Sequence, residues 1–297
     1  MERFLKPKWI FACLFVIVLL SLLYDRKPVE ITSLSGKTMG TSYSIKYLDN
    51  GHGIKPLGIS KDINELLKKI NQHMSTYIKD SELSKFNKSS LTQWQKISPE
   101  LYRALEHALS VAKKTNGAFD PTIGPLVNLW GFGPDKKRIM PTLKLIEKVK
   151  RRVGYNYIQL QKSPPQVMKS RSDVYLDLSA SAKGYGVDAV SMHLLKIGIE
   201  NHMVEIGGEV RTAGSKAGRP WKIGIEAPGP NYTLEKKIVK LKNMSLATSG
   251  SYRNYFDLDG KKYSHVIDFR TGKPVSHTLA SVSVVSKKGC MDADAWA

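Results

Sequence analysis

A chain of 297 residues with 41% hydrophobic residues has the length for one large or two modest domains and the apolar content for a buried core. Its formal charge of +20 is spread along the chain in pairs such as Lys68-Lys69, Lys113-Lys114, Arg151-Arg152 and Lys287-Lys288, which reads as solvated faces and argues against a nucleic-acid groove. Cys13 and Cys290 are the only cysteines and sit near opposite ends, so a disulfide framework is excluded.

Residues 1–8 carry Arg3, Lys6 and Lys8 ahead of an apolar run over residues 9–24, the pattern of a signal sequence or a short membrane anchor. The run ends Ser21-Leu22-Leu23-Tyr24, bulky where a signal peptidase needs small residues, which favours an uncleaved anchor. Cys13 lies too early in the run for an acylated lipoprotein cysteine. The positive-inside rule then places the N-terminus in the cytoplasm and the rest of the chain across the membrane. Residues 25–33 read as a linker and 34–297 as the folded domain.

Within that domain Tyr43, Ile45 and Tyr47 alternate as a strand closed by Asn50-Gly51-His52-Gly53. A helix is expected from a Ser60 cap, with Ile63, Leu66, Leu67, Ile70 and Met74 on one face. Residues 74–87 read as a polar loop carrying Tyr77, an aromatic able to stack on a ring or to pack over the core edge. A second helix is expected from Ser98-Pro99 to a Gly117 stop, and a third from Leu143 to Val153, ended by Gly154. Between them, Gly117-Ala-Phe-Asp-Pro-Thr-Ile-Gly-Pro125 is a rigid loop suited to holding a flat ring. Val174, Leu176 and Leu178 predict a strand, and Val187, Val190, Leu194 and Leu195 a helix ending at Gly198.

The junction between them, Asp177-Leu-Ser-Ala-Ser-Ala-Lys-Gly-Tyr-Gly-Val-Asp188, combines carboxylates, hydroxyls, a lysine and glycines at a helix start, which suits a phosphate-bearing ligand. Strands are expected at 203–206, 221–225, 238–241, 252–256, 262–267 and 281–285. Helices early and strands late indicate an α+β architecture with room for two lobes and a cleft. The paired glycines of Glu205-Ile-Gly-Gly-Glu209 fit close backbone approach or a simple hairpin. His265, in Tyr263-Ser-His-Val-Ile-Asp268, is the leading acid/base candidate, and Asp292 and Asp294 offer oxygen ligands for a hard cation. Cys290, after a Val-rich strand pattern, reads as a small buried residue.

In combination and order these stretches resemble the ApbE family of FAD:protein FMN transferases. The matching motifs are Thr38-Met-Gly-Thr41, Met74-Ser-Thr-Tyr77 with Ser81-Glu-Leu83, Gly117-Ala-Phe-Asp120, Asp177-Leu-Ser-Ala180 with Ala182-Lys-Gly-Tyr185, Glu205-Ile-Gly-Gly-Glu209, Thr248-Ser-Gly250, Ser264-His265 with Asp268, and Ala293-Asp-Ala295. The resemblance spans about Leu34 to Ala297 and implies a two-lobed, T-fold-like domain with mixed or antiparallel sheets. It further implies Mg²⁺-dependent transfer of FMN from FAD to a threonine hydroxyl of a target protein, with release of AMP.

By similarity Met39, Tyr77, Ala118, Phe119, Asp120, Asp177, Lys183 and Ile267 contact FAD, and the metal is held by the Ala180 carbonyl, Asp294 and the turn at Ala297. Lys183 and His265 carry the catalytic roles, Lys183 on the pyrophosphate and His265 on the acceptor proton. The implied targets are subunits of the Na⁺-pumping NADH:quinone reductase or Rnf type, on the periplasmic side of a bacterial inner membrane. The alternatives are an FAD pyrophosphatase, with water in place of threonine, and a non-catalytic flavin binder. Two departures stand out: Phe269 replaces the family's usual proline, and the pattern continues with a threonine past Ala-Trp-Ala where this chain stops, so a longer natural protein is expected.

Overall fold

The structure, a computed structural model, describes residues 30–49, 55–134, 140–226, 237–251, 254–258 and 260–297. The expected anchor at 9–24, the Asn50–Gly53 turn and the start of the expected 252–256 strand lie outside these residues. Among the described residues no helix is long and apolar enough to cross a membrane.

In chain order the elements are β1 (Ile31–Thr38), β2 (Thr41–Leu48), α1 (Pro56–Met74), α2 (Glu82–Lys88), β3 (Gln95–Lys96), α3 (Pro99–Lys114), α4 (Gly124–Leu129) and α5 (Leu143–Lys150). They continue with β4 (Ile158–Gln161), β5 (Gln166–Lys169), α6 (Ala182–Lys196), β6 (His202–Ile206), β7 (Glu209–Ala213), β8 (Trp221–Ile225), β9 (Lys237–Leu241) and β10 (Ser245–Gly250). The last are β11 (Tyr255–Leu258), β12 (Lys261–Ser264), β13 (Ile267–Asp268), β14 (Lys273–Pro274), β15 (Ser281–Ser286) and α7 (Cys290–Trp296).

Alternation in β2 turns Tyr43, Ile45 and Tyr47 inward, and this strand pairs antiparallel with β6 so that Ile45 faces Val204. The central sheet runs β1-β2-β6-β7-β10-β15, with β6–β7, β7–β10 and β10–β15 also antiparallel. Helix α1 buries Ile59, Ile63, Leu67, Ile70 and Met74, one stripe at helical spacing, and packs with α6 over the sheet. Each such side chain, fully buried, contributes about 1.5–3 kcal/mol. A smaller second core gathers Leu126, Trp130, Ile146 and Phe256 beneath the Trp130 and Gly272 loops. The result is α+β with antiparallel pairing, as the sequence indicates, and with two cores.

Several local expectations shift. Helix α1 starts at Pro56 because proline at its first turn presets φ, four residues ahead of the expected Ser60 cap. The expected polar loop after Met74 contains α2, whose Ser81 hydroxyl accepts from the Ser84 N–H 3.0 Å away. Helix α5 stops at Lys150, short of Val153, and the loop after Asp120 contains the short α4. Cys290 opens α7 and is buried, so the strand pattern before it ends at Ser286.

The largest correction concerns Val174–Leu178, which alternates buried and half-buried like a strand yet joins no sheet. Its backbone groups are satisfied elsewhere: the Leu176 N–H donates to Asn87 Oδ1 and the Leu176 carbonyl accepts from Asn87 Nδ2, both at 2.8 Å, and the Asp177 N–H donates to the Pro121 carbonyl at 2.7 Å. The expected 262–267 strand is likewise broken, into β12 and β13, with His265 in the gap.

A buried histidine gives the fold an acid limit. His202 has 0% exposure, with Nδ1–H directed at the Ile199 carbonyl (2.8 Å) and Nε2 accepting from the Ser191 hydroxyl (2.7 Å). Burial, reinforced by the Arg211 charge and opposed by the Ile199 carbonyl, lowers its pKa from 6.5 to about 4. The unfolded chain binds this proton first, so stability is full above about pH 6.5 and is lost as pH falls towards 4, by roughly 3 kcal/mol. Urea unfolding across this range is expected to show the loss, and His202→Gln is expected to flatten it; an equal slope in the variant removes His202 as the cause.

Candidate active site

Three elements converge on Lys183, the second residue of α6. Its Nζ lies 2.5 Å from Glu209 Oε1 at the start of β7 and 4.0 Å from Asp294 Oδ1 on α7. The other Asp294 oxygen accepts from the Gly184 N–H at 2.9 Å. Glycine is required at 184, because a Cβ there runs into the Cys290 carbonyl where α7 crosses α6. Gly207, with φ of 61°, turns β6 into β7 so closely that an added Cβ sits 2.9 Å from Thr41 Cγ2 and 3.2 Å from Lys183 Cδ.

The charges in this cluster do not balance. Burial pushes Asp294 up to about 7, with Glu209 and Asp188 adding to the rise against the pull of Lys183 and the Gly184 N–H. Glu209 also rises, again chiefly from burial and in spite of Lys183. Lys183 is raised because Asp294 and Glu209 outweigh the burial that lowers it. Glu209 Oε2 is buried without a hydrogen-bond partner. Two buried carboxylates sharing one ammonium, with an oxygen left unsatisfied, suit an additional cation with a preference for oxygen ligands. No group of three or more His, Cys, Asp or Glu side chains is assembled for a metal among the described residues, so backbone or substrate oxygens must complete such a site.

A second wall is built on Asp177. One of its oxygens accepts from the Ser179 N–H (2.8 Å) and the Ser179 hydroxyl (2.5 Å), closing the turn that leads through Ala180 to α6. Asp120 is committed to its own loop: it accepts from the Thr122 N–H and hydroxyl and from the Tyr155 N–H, and burial raises its pKa against those three donors. Its Pro121 neighbour receives the Asp177 N–H, which stitches the two loops together. Tyr77 stands 58% exposed beside them, and its pKa is raised by burial of its inner edge and by Asp177. Ala118 is exposed on the same loop as Asp120, and Phe119 packs on the main core. The Phe269 ring lies 3.6 Å from where a Gly117 Cβ would be, so the β13–β14 hairpin, with Ile267, sits against the Gly117–Asp120 loop.

Phe132 links this wall to the histidine. Its carbonyl is 3.5 Å from the Tyr77 hydroxyl, and its ring meets the His265 ring edge-on at 6.3 Å. His265 Nδ1–H points at the Asn254 carbonyl, 3.0 Å away, leaving Nε2 as the basic nitrogen. Burial lowers its pKa, with the Lys183 ammonium adding to the fall and the Asn254 carbonyl opposing it. A neutral imidazole with a free Nε2 can take a proton from a hydroxyl.

Of the residues singled out from sequence, Lys183 and Asp294 meet directly, Asp177 and Asp120 meet through Pro121, Tyr77 and His265 meet through Phe132, and Met39 reaches Gly186 on α6, where its Cε is 3.0 Å from an added Cβ. Ala180 lies exposed in the turn before α6, and the Ala297 N–H closes the last turn of α7 on the Ala293 carbonyl. Sequence reasoning did not assign Glu209, Asn254, Phe132 or Asp188. A carboxylate directly after two glycines is the signal that marks Glu209. Asp188 was within reach as the acid closing the Asp177 segment: it accepts from the Cys290 and Met291 N–H groups (2.8 and 2.9 Å) and pairs with Arg211, seating the start of α7. A cavity of about 170 Å³ lined by His107, Ser110, Lys114, Asp188, Lys288 and Asp292 contains one of the two carboxylates expected to bind a cation, Asp292, which there meets His107 and the Ser286 hydroxyl, and none of the residues expected to contact FAD.

The ApbE family profile matches residues 39–297. An FAD:protein FMN transferase of Haemophilus influenzae is 42% identical over 286 residues, covering 94% of this chain and 83% of that protein. One from Vibrio cholerae is 41% identical over 273 residues, covering 91% and 81%. Among solved structures, the flavin transferase ApbE from Vibrio cholerae superposes with a TM-score of 0.83 at 40% identity, over 90% of this chain and 85% of that one. The apo flavinyl transferase ApbE of Pseudomonas stutzeri gives 0.81 at 33% identity, over 90% and 82%. Matched in sequence and in fold over nine-tenths of its length, the chain belongs to the ApbE family.

Proposed function

We propose that the protein is an FAD:protein FMN transferase that moves FMN from FAD to a threonine hydroxyl of a target protein and releases AMP. The observation that carries this reading is the Lys183–Glu209–Asp294 cluster within electrostatic reach of His265, whose Nε2 is kept basic by the Asn254 contact. The threonine oxygen forms a bond to the FMN phosphorus, the bond from that phosphorus to the oxygen bridging to AMP breaks, and the hydroxyl proton goes to His265 Nε2. Lys183 neutralises charge gathering on the diphosphate oxygens, and burial of its partners keeps that charge unscreened. Asp294, the Ala180 carbonyl and the turn at Ala297 would hold Mg²⁺, which would supply further neutralisation of negative charge. Tyr77, with Met39, Ala118, Phe119, Asp120, Asp177 and Ile267, holds FAD so that its diphosphate is oriented before the target arrives.

The apolar run at 9–24 and the basic residues before it support a domain tethered outside the inner membrane, where subunits of the Na⁺-pumping NADH:quinone reductase or Rnf type would present the threonine. The test is incubation of the full chain with FAD, Mg²⁺ and a candidate acceptor domain. Flavin fluorescence on the acceptor that survives denaturation, with stoichiometric AMP and loss of both on EDTA treatment, is the expected result. AMP and free FMN without labelled acceptor makes the protein a pyrophosphatase, and no turnover leaves a flavin binder.

A further inference from the structure

The Val174–Leu178 segment carries Asp177 without the support of a sheet, and α2 supplies that support instead. Asn87, near the end of α2, grips Leu176 from both sides as a ladder partner would, its Oδ1 receiving the Leu176 N–H and its Nδ2 donating to the Leu176 carbonyl, each at 2.8 Å. It also bonds to the side chain of Tyr175. Lys169, wholly buried, ties the same two pieces, donating to the Phe86 and Val174 carbonyls at 3.3 Å. The other end of α2 holds the Tyr77 loop: the Ser81 and Ser84 hydroxyls both donate to the Ser75 carbonyl, at 2.5 and 3.2 Å. One short helix thus fixes both the exposed ring and the carboxylate, which are close enough for Asp177 to raise the Tyr77 pKa.

We propose that Asn87 is a positioning residue for FAD, holding Asp177 at a set separation from Tyr77 through its paired hydrogen bonds to Leu176. This rests on the proposed function. Asn87 itself touches backbone and Tyr175, so its loss is felt as a displaced Asp177, not as a missing contact. Displacement of a binding group by a fraction of an ångström up to about 1 Å costs about tenfold to about a hundredfold.

The experiment compares Asn87→Ala and Asn87→Leu with the unaltered full chain, measuring FAD affinity by flavin fluorescence quenching and KM for FAD against kcat in acceptor labelling. Leucine keeps the volume and lacks the amide, so both variants are expected to weaken FAD binding and raise KM for FAD by about tenfold or more while kcat at saturating FAD changes by less than about threefold. Leu105→Ala, a core truncation on α3 that removes no hydrogen bond to Leu176, serves as the control for lost stability and is expected to leave KM unchanged. Restoration of full FAD affinity by leucine, or a rise in KM in Leu105→Ala equal to that in Asn87→Ala, overturns the proposal as a matter of packing. FAD affinity unchanged in both Asn87 variants overturns it while the transferase reading stands. An unaltered chain that binds no FAD removes the transferase reading and this role with it.

Discussion

His265→Ala is expected to lower the rate of acceptor labelling by about a hundredfold to about ten-thousandfold, the range for loss of a positioned general base, with FAD affinity little changed. The imidazole meets Phe132 edge-on, but its Nδ1 is spent on the Asn254 carbonyl and its Nε2 is the one nitrogen left for chemistry. Burial and the Lys183 ammonium both hold its pKa below the usual histidine value, so it is already neutral at neutral pH. Labelling by the unaltered protein should therefore persist to lower pH than an ordinary histidine base allows, falling only when Nε2 is protonated. His265→Ala should lose that acid limb of the rate profile together with its rate. A variant that labels at the normal rate, or keeps the same limb, shows that the proton is taken elsewhere. FAD hydrolysis surviving in the variant while labelling disappears would assign the histidine to the acceptor alone.

The parts of this fold written in local periodicity were legible in sequence, and the parts written in side-chain-to-backbone bonds were not. Tyr43, Ile45 and Tyr47, or the α1 stripe from Ile59 to Met74, announce their faces by spacing. Val174, Leu176 and Leu178 announce a buried face equally well, but periodicity cannot tell a ladder from an asparagine that imitates one, so the segment reads as a strand and is not one. Helix α2 escapes because its few turns are polar and its start is set by Ser81. The candidate site was legible as an order of motifs, while its partners were not: Glu209 lies 26 residues after Lys183 in sequence and 2.5 Å away in space, because α6 returns the chain to the edge where β6 turns into β7. Asn254 contributes a carbonyl, which any residue supplies, so no side-chain pattern marks it.

Lys183→Met is expected to damage stability and activity together, through one electrostatic cause. The side chain keeps its length but removes the ammonium between Glu209, which is 2% exposed, and Asp294. Removing one partner of a buried pair costs about 3–5 kcal/mol, because the remaining charge stays buried without compensation. The sign of its pH dependence follows from the acids. Asp294 already has its folded pKa raised above 3.8 to about 7, so its ionisation opposes folding: that stability is present below 3.8 and is lost as pH rises through 7. Without Lys183 both acids rise further and remain protonated to higher pH. The deficit of the variant in urea unfolding should then be larger at about pH 8 than at about pH 6, where protonation relieves it. Labelling activity should fall by about a hundredfold to about a thousandfold at either pH, as for other lost stabilisers of developing charge. Mg²⁺ should raise the melting temperature of the variant if Asp294 holds the cation, since the metal then supplies the missing positive charge. A deficit equal at both pH values would show that Lys183 stabilises by packing of its stem, and that the two carboxylates are neutralised by something other than its charge.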